Sequence, residues 1–318
     1  MSEIQTFYTY LRTEQGARDY LFRCYKPFHH LDPEKKSYEN AQAFLYYLDH
    51  GLRLYDNGKH VDLFFKPVLY FYGMVHLLKA CLLTIRPDYP ESASLLAHGV
   101  STRKKKKKNY TFMNDEVKVQ VQGLFPYFTK HLYSKQLLSF EKLSMKQLLA
   151  LIPEMNRLFS FFHQKSPMVI VGSTTSNVLT FPEFILDCYQ LTTNTFLRKL
   201  RYYLPEIETE EVKQDTIKLH LKRPIDCTPG PFFIHSQNES IYFPRTRHNY
   251  LPIAEVMIHY LLLYNLSMLA RYETEWWGDL FATKSDEDYS FITHFLTITA
   301  EKMPHMLGCY LLKQTKLS

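Results

Sequence analysis

Six consecutive cations, Arg103–Lys108, are the residues whose type and spacing most clearly suggest chemistry. A run of like charge repels itself, so a chain keeps it on a solvated surface, in a disordered segment or against something negative. The residues ahead of it, His98-Gly99 and Ser101-Thr102, add hydrogen-bond donors and a permissive backbone. This combination predicts a site for a phosphate-bearing ligand. The alternative is a charged edge strand that blocks association between sheets.

The distribution of charge confines any attraction for anions to part of the chain. The formal net charge is +6, from 38 Lys and Arg against 32 Asp and Glu, and Arg103–Lys108 supplies six of the cations. The rest of the chain is therefore balanced, 32 against 32. A protein that coats DNA spreads its cations over a whole face. The sequence argues against that class and favours a local anion site.

A polar stripe on the apolar segment 253–277 is a second candidate site. The segment contains no Pro or Gly and predicts one long helix. Residues at steps of three or four share one helix face, and here they are Tyr260, Tyr264, Ser267, Arg271 and Glu275. A buried arginine without a partner is costly. Either Glu275 neutralises Arg271 within the helix, or an external anion does.

Three more basic residues precede this helix, in the stretch "FPRTRHNYLP". Guanidinium groups near a helix N-terminus suit phosphate, because free N–H groups also point there. Pairing with surface carboxylates is the alternative. The complete set of predicted ligand-binding residues is His98, Ser101, Thr102, Arg103, Lys104, Lys105, Arg245, Arg247, His248, Tyr264 and Arg271.

Motifs for metal, cofactor or nucleophile chemistry are incomplete in this sequence. Glu255 and His259 could form half of a metal site, but no H-E-x-x-H set completes it. There is no P-loop and no G-x-S-x-G elbow. Tyr72, His76 and Lys79 lie on one side of an apolar helix, where a histidine is more often a satisfied core residue. We therefore predict no metal, no cofactor and no catalytic residues.

Composition and cysteine usage predict a folded cytoplasmic protein. Tyr and Phe are abundant, 24 and 23 in 318 residues, and each buries a large apolar area. The five cysteines are scattered and form no C-x-x-C pair, which indicates reduced thiols. The first twenty residues carry charges and no apolar core, so they do not predict a signal peptide. Polar residues within the two most apolar stretches favour buried helices over membrane spans.

Periodicity predicts an α+β fold that is predominantly helical. N- and C-terminal helices form one core, and a central mixed region contains short β-hairpins. Asp32 and Pro33 open one helix and Pro67 another, whereas "NYTFMNDEVKVQVQGLF" alternates around Asn114-Asp115 as a hairpin would. The predicted parts are 1–97, helical; 98–248, mixed with a basic hairpin; and 249–318, helical and packed with 1–97 as one unit.

Long blocks of this sequence resemble the YaaC-like family of Firmicutes bacteria. The blocks are "DPEKKSYENAQAFLYYLDHG", "KPVLYFYGMVHLLKACLLTIRPDYPES", "LAHGVSTRKKKKKNYTFMNDEVKVQVQGLF" and "YLLLYNLSMLARYETEWWGDL". They occur in order from about Asp32 to the C-terminus. The resemblance transfers no catalytic residues to this chain.

Two helical segments are more distantly similar to HEPN-type proteins, many of which are ribonucleases with an R-x(4–6)-H motif. The segments are "KPVLYFYGMVHLLKA" and "LSMLARYETEWW". Arg23 with His29 or His30, Arg53 with His60, and Arg157 with His163 have the required spacing. About two such pairs are expected by chance with this many Arg and His residues, so the four pairs found do not discriminate.

These observations favour a non-catalytic protein that binds a nucleotide or nucleic acid, with a regulatory role. The alternatives are a HEPN-like, metal-independent ribonuclease and a protein-interaction scaffold, the latter suggested by the aromatic surplus. No membrane partner is expected, and a homodimer through the long helices stays open.

Overall fold

The computed structural model describes residues 3–102, 110–133, 142–225 and 230–314. It confirms an α+β fold that is predominantly helical. Twelve α-helices and nine short strands lie in this part of the chain, and the strands form three antiparallel sheets of three strands each. By internal contacts the chain divides into two units. The predicted boundaries at residues 97 and 248 stay a prediction.

Unit 1 comprises residues 1–110, 115–143 and 259–318. Its helices are α1 (Glu3–Leu11), α2 (Glu14–Tyr25), α3 (Pro33–His60), α4 (Lys66–Ile85), α5 (Leu124–Tyr133), most of α10 (Glu255–Tyr272), α11 (Thr274–Thr283) and α12 (Glu287–Gln314). Strands β1 (Val100–Thr102) and β2 (Glu116–Val119) pair antiparallel, and β3 (Leu143–Ser144) completes the sheet order β1-β2-β3.

The N- and C-terminal helices of unit 1 pack together, as the sequence predicts. The hydroxyl of Tyr8 on α1 donates to the Pro304 carbonyl of α12 at 2.6 Å, and the hydroxyl of Tyr20 on α2 donates to the Leu311 carbonyl at 2.9 Å. Both rings are buried. These bonds satisfy polar groups that would otherwise be costly inside the core, so the two ends of the chain share one core.

Helices α3 and α4 begin at the predicted residues and pack closely. The Asp32 carboxylate caps α3 by accepting from the backbone N–H groups of Glu34 and Lys35. Gly73 of α4 faces α3, and a Cβ atom there would lie 2.8 Å from the Tyr55 ring. The close approach of the two helices therefore depends on the missing side chain.

We expect Gly73→Ala to destabilise the protein by about 1–3 kcal/mol, the usual cost of overpacking. Gly278→Ala in α11 is the matched control, because no atom of the described residues lies within 4 Å of its added Cβ. That change is expected to stabilise by roughly 0.5–1 kcal/mol through helix propensity. Urea unfolding measures both free energies. A Gly73→Ala midpoint at or above that of the wild type would contradict close packing here.

The predicted hairpin around Asn114 takes a different form. Residues Phe112–Asn114 form a 3-10 turn, and β2 pairs with β1 instead of with residues directly before Asn114. Val121, predicted to continue the strand, is 91% exposed. Alternation identified β2 but not its partner.

Unit 2 comprises residues 111–114 and 144–258. Its helices are α6 (Met145–Leu149), α7 (Asn156–His163), α8 (Phe184–Tyr189) and α9 (Thr193–Arg201), followed by the first turn of α10. Its strands are β4 (Met168–Ser173), β5 (Val178–Pro182), β6 (Ile207–Lys213), β7 (Thr216–Leu221), β8 (Phe233–Ile234) and β9 (Ser240–Pro244), in sheets of order β4-β9-β8 and β5-β7-β6. An aromatic core packs between them, with Phe181, Tyr189, Phe196 and Phe243 among its members.

Candidate functional site

The strongest candidate site is a cluster of cationic, imidazole and phenol groups in unit 1. Helix α4 contributes Tyr72, His76 and Lys79, which share a face because they are spaced by four and three residues. All three are half-buried. The remainder of α4 is largely buried and apolar, so these polar groups mark the face of the helix that differs from its core-facing side.

His98 joins this cluster from the segment before β1. Its carbonyl accepts from the Tyr260 hydroxyl at 2.9 Å and from the Phe125 backbone N–H at 3.1 Å. Gly99 follows with a φ of 75°, a left-handed conformation that favours glycine. The imidazole ring contacts the rings of Phe71 at 4.9 Å and Tyr264 at 5.8 Å between centroids. Backbone and ring contacts together fix its position.

Arg271 enters from the last turn of α10. Its Nε donates to the Ser267 carbonyl at 3.0 Å, and a terminal nitrogen donates to the Tyr72 hydroxyl at 3.3 Å. The guanidinium lies over the rings of Tyr72 and Tyr272. Among the residues that the structure describes, no carboxylate pairs with Arg271.

Of the two alternatives for Arg271, the helix break removes the geometry that pairing with Glu275 requires. A single helix over 253–277 would place Glu275 one turn beyond Arg271, but α10 ends at Tyr272 and α11 starts at Thr274. Glu273 between them has φ −120° and ψ 50°, outside the helical region. Glu275 is exposed, and the described residues show no ion pair between it and the half-buried Arg271.

The cluster carries its positive charge on Lys79 and Arg271. Burial, followed by the charges of Arg271 and Lys79, lowers the pKa of His98. Burial, followed by Lys79 and His50, lowers the pKa of His76 to about 4. Burial alone lowers the pKa of Lys79. Both imidazoles are therefore neutral at pH 7, and the Nδ1 atom of each is buried with no hydrogen-bond partner among the described residues.

The neutral His76 predicts a loss of stability in acid. Between pH 6.5 and about 4 the unfolded chain binds a proton at His76 that the folded chain does not, so the free energy of unfolding falls as pH falls. Solvent screens the half-buried ring, which reduces the effect. We therefore expect His76 to lower the free energy of unfolding by on the order of 1 kcal/mol at pH 5. His76→Gln should remove that part of the loss.

Urea unfolding at pH 7.5 and pH 5.0 tests this prediction. Tryptophan fluorescence is a suitable signal because Trp276 and Trp277 belong to the same unit as His76. His60→Gln, at an exposed histidine on α3, is the control. If the free energy of unfolding fell equally from pH 7.5 to pH 5.0 in the wild type and in His76→Gln, burial of the His76 ring would have no energetic consequence.

The hydroxyls ahead of the cationic run have structural partners. Thr102 Oγ1 donates to the Glu116 carbonyl and accepts from Asn265 Nδ2, and Ser101 Oγ accepts from Gln120 Nε2. They tie β1 to β2 and α10. The predicted ligand-binding residues Arg103, Lys104 and Lys105 lie outside the described residues.

The structure places Arg245, Arg247 and His248, the basic residues before α10, in unit 2. Arg245 lies over the Phe184 ring at 4.6 Å, and its buried Nε has no hydrogen-bond partner within the described ranges. Arg247 and His248 are exposed in a 3-10 turn, where the His248 carbonyl accepts from Gln147 Nε2. The structure thus brings His98, Tyr264 and Arg271 together in unit 1.

Sequence reasoning omitted Lys79 from the predicted ligand-binding set. The sequence did contain a signal for Lys79. A lysine three residues after His76 on an otherwise apolar helix needs contact with either solvent or a ligand. Its place in the cluster depends on the fold, which brings its charge close enough to His98 to lower the pKa of that ring.

A family comparison covers nearly the entire protein. A family model described as YaaC-like protein matches residues 9–311. The chain belongs to the YaaC-like family. No curated protein and no solved structure matches it. The predicted resemblance is confirmed and extends further toward the N-terminus than the quoted blocks. The similarity to HEPN-type proteins is not shown.

Two further properties of this YaaC-like chain bear on the site. Within the described ranges, no group of three or more His, Cys, Asp or Glu side chains could hold a metal ion. Helix α4 is the one described helix long and apolar enough to cross a membrane by length and composition, and 67% of its most apolar window is buried inside the protein. The core helix of a soluble protein passes the same test, so this is weak evidence for a span.

Proposed function

We propose that this protein binds a phosphate-bearing ligand, a nucleotide or nucleic acid, at the cluster of Lys79, His98 and Arg271, and does so without catalysing a reaction. The observation that supports it most is the pair of half-buried cations, Lys79 and Arg271, neither of which pairs with a carboxylate in the described part of the chain. Desolvating a charge without a partner is costly. A bound phosphate would supply the missing counter-charge.

The neighbouring groups suit the same ligand. The Tyr72 hydroxyl and the two neutral imidazoles offer hydrogen bonds, and phosphate oxygens accept several at once. Tyr72 and Tyr264 present ring faces and edges on which a base could stack. Arg103–Lys108 follows His98 by only a few residues in sequence, so a longer polyanion has further cations to contact.

The non-catalytic assignment rests on the chemistry of the cluster. Its groups are cations, neutral imidazoles and phenols; an imidazole could accept a proton, but the identified members include no serine, cysteine or carboxylate nucleophile beside it. None of the Arg–His pairs with the ribonuclease spacing contributes to it. The ribonuclease and scaffold alternatives stay predictions.

Calorimetric binding to a ligand panel tests the proposal. The panel contains nucleoside mono-, di- and triphosphates and a twelve-residue single-stranded RNA, each at 50 and 200 mM KCl. If Lys79 and Arg271 neutralise two phosphates, RNA affinity should fall about sevenfold between the two salt concentrations. RNA recovered intact supports binding without catalysis. Absent or salt-independent binding would refute the proposal, and RNA cleavage would favour the ribonuclease.

A further inference from the structure

A second cationic site lies in unit 2, in a cleft of which the sequence patterns indicated only Arg247. Its volume is about 400 Å³. This is within the range of small-molecule sites. The residues that line it are Tyr189, Leu191, Thr195, Arg198, Lys199 and Arg247.

The elements around the cleft fix its walls. Tyr189 at the end of α8 is fully buried, and its hydroxyl donates to the Pro244 carbonyl at 2.8 Å. Helix α9 buries Phe196 and Leu200 in the unit 2 core, which leaves Arg198 and Lys199 on its exposed side. The cationic wall is therefore attached to a packed core and does not depend on a loose loop.

The three cations of the cleft have no ionic partners in the part of the chain that the structure describes. Among the described residues, none of Arg198, Lys199 and Arg247 forms an ion pair, and no carboxylate lines the cleft. Lys199 lies 4.0 Å over the Tyr250 ring, and burial together with Arg247 lowers its pKa. Arg201, on the same helix, instead pairs with Glu210 at 2.6 Å. The helix thus neutralises one cation and leaves two facing the cleft.

We propose that this cleft binds a compact polyanion with two linked phosphate groups. Three cations exceed the charge of one phosphate but match a diphosphate, and both arginines can contact phosphate oxygens with two N–H groups. The concave shape favours a small molecule over a nucleic-acid strand, which needs an extended track. Inorganic pyrophosphate and the diphosphate of a nucleotide share this chemistry.

Calorimetric titration of the protein with inorganic pyrophosphate tests binding at the cleft. Titrations with inorganic phosphate and with ADP provide the comparison. We expect Arg198→Gln and Arg247→Gln each to weaken pyrophosphate binding about tenfold. Arg201→Gln on the same helix is the matched control and should leave the affinity unchanged. Phosphate should bind more weakly than pyrophosphate. Tighter binding of ADP identifies a diphosphate ester as the natural source, and tighter binding of pyrophosphate identifies the free anion.

The outcome is separable from that of the proposed function, because the two sites share no residue. The same titrations in the Lys79→Met/Arg271→Gln variant should retain pyrophosphate binding in the cleft. Binding unaffected by Arg198→Gln and Arg247→Gln, or equal for phosphate and pyrophosphate, would overturn the cleft while leaving the unit 1 cluster intact. Arg198, Arg201 and Arg247 are exposed, so their Gln variants are expected to fold. Circular dichroism checks this.

Discussion

Replacing Lys79 with Met and Arg271 with Gln in one chain is expected to lower affinity for the tightest-binding nucleotide about 100-fold or more. Each cation makes a charge-assisted contact with phosphate in our account, and such a bond contributes about 1.5–3 kcal/mol. Arg271 also loses its stacking position over Tyr72 and Tyr272. Calorimetry measures the loss directly.

The variant is expected to remain folded, since it removes two half-buried charges that lack carboxylate partners among the described residues. Its melting temperature should match or exceed that of the wild type. Lys59→Met/Arg53→Gln makes the same chemical changes at surface cations already paired with Glu301 and Asp49. That control should bind like the wild type. Equal affinity in both double variants would place the ligand elsewhere.

Replacing Asp115 with Ala is expected to destabilise unit 1 on the order of 3 kcal/mol. Its buried carboxylate accepts from the Tyr110 hydroxyl at 2.8 Å, from Asn265 Nδ2 at 3.0 Å and from the Glu116 backbone N–H at 2.8 Å. Removing an acceptor leaves buried donors unsatisfied, which costs about 1–3 kcal/mol for each group. The Asn265 side-chain amide keeps its hydrogen bond to Thr102 in the variant, so it loses only one of its two acceptors.

Asp88→Ala is the control for this prediction. Asp88 pairs with Lys36 on the surface, where its side chain is 70% exposed, and such a pair contributes about 0–1 kcal/mol. Urea unfolding followed by tryptophan fluorescence compares the two variants. An Asp115→Ala midpoint close to that of Asp88→Ala would show that the network joining β2 and α10 contributes little to stability.

Local signals predicted the helices whose ends are chemically marked. Asp32 and Pro33 mark the start of α3, and Pro67 marks the start of α4. Where a cap or turn residue specifies the backbone, the sequence was sufficient.

The break between α10 and α11 shows where local signals fail. No Pro or Gly lies near Glu273, so the sequence predicts continuous helix. Four residues later Trp277 is fully buried, and its indole N–H donates to the Phe64 carbonyl at 3.0 Å. A contact with a residue more than 200 positions away in the chain is invisible to a helix pattern. The alternative in which Glu275 neutralises Arg271 depended on that continuous helix.

The candidate site was predicted in part for the same reason. Arg271, Tyr264 and His98 attract notice because each is polar in an apolar or cationic stretch. Lys79 joins them only through tertiary packing. Arg198 and Lys199 resemble ordinary surface residues at the end of a helix, and only the concave surface of unit 2 distinguishes them.

The location of a bound anion tests the central claim most directly. Tungstate is a phosphate-like probe with strong anomalous scattering, and crystals of the wild-type protein soaked in it would show where an oxyanion binds. The account predicts an anomalous peak within hydrogen-bond distance of Lys79 Nζ and the Arg271 guanidinium. Crystals in which tungstate binds elsewhere in unit 1 but not between Lys79 and Arg271 would contradict the account.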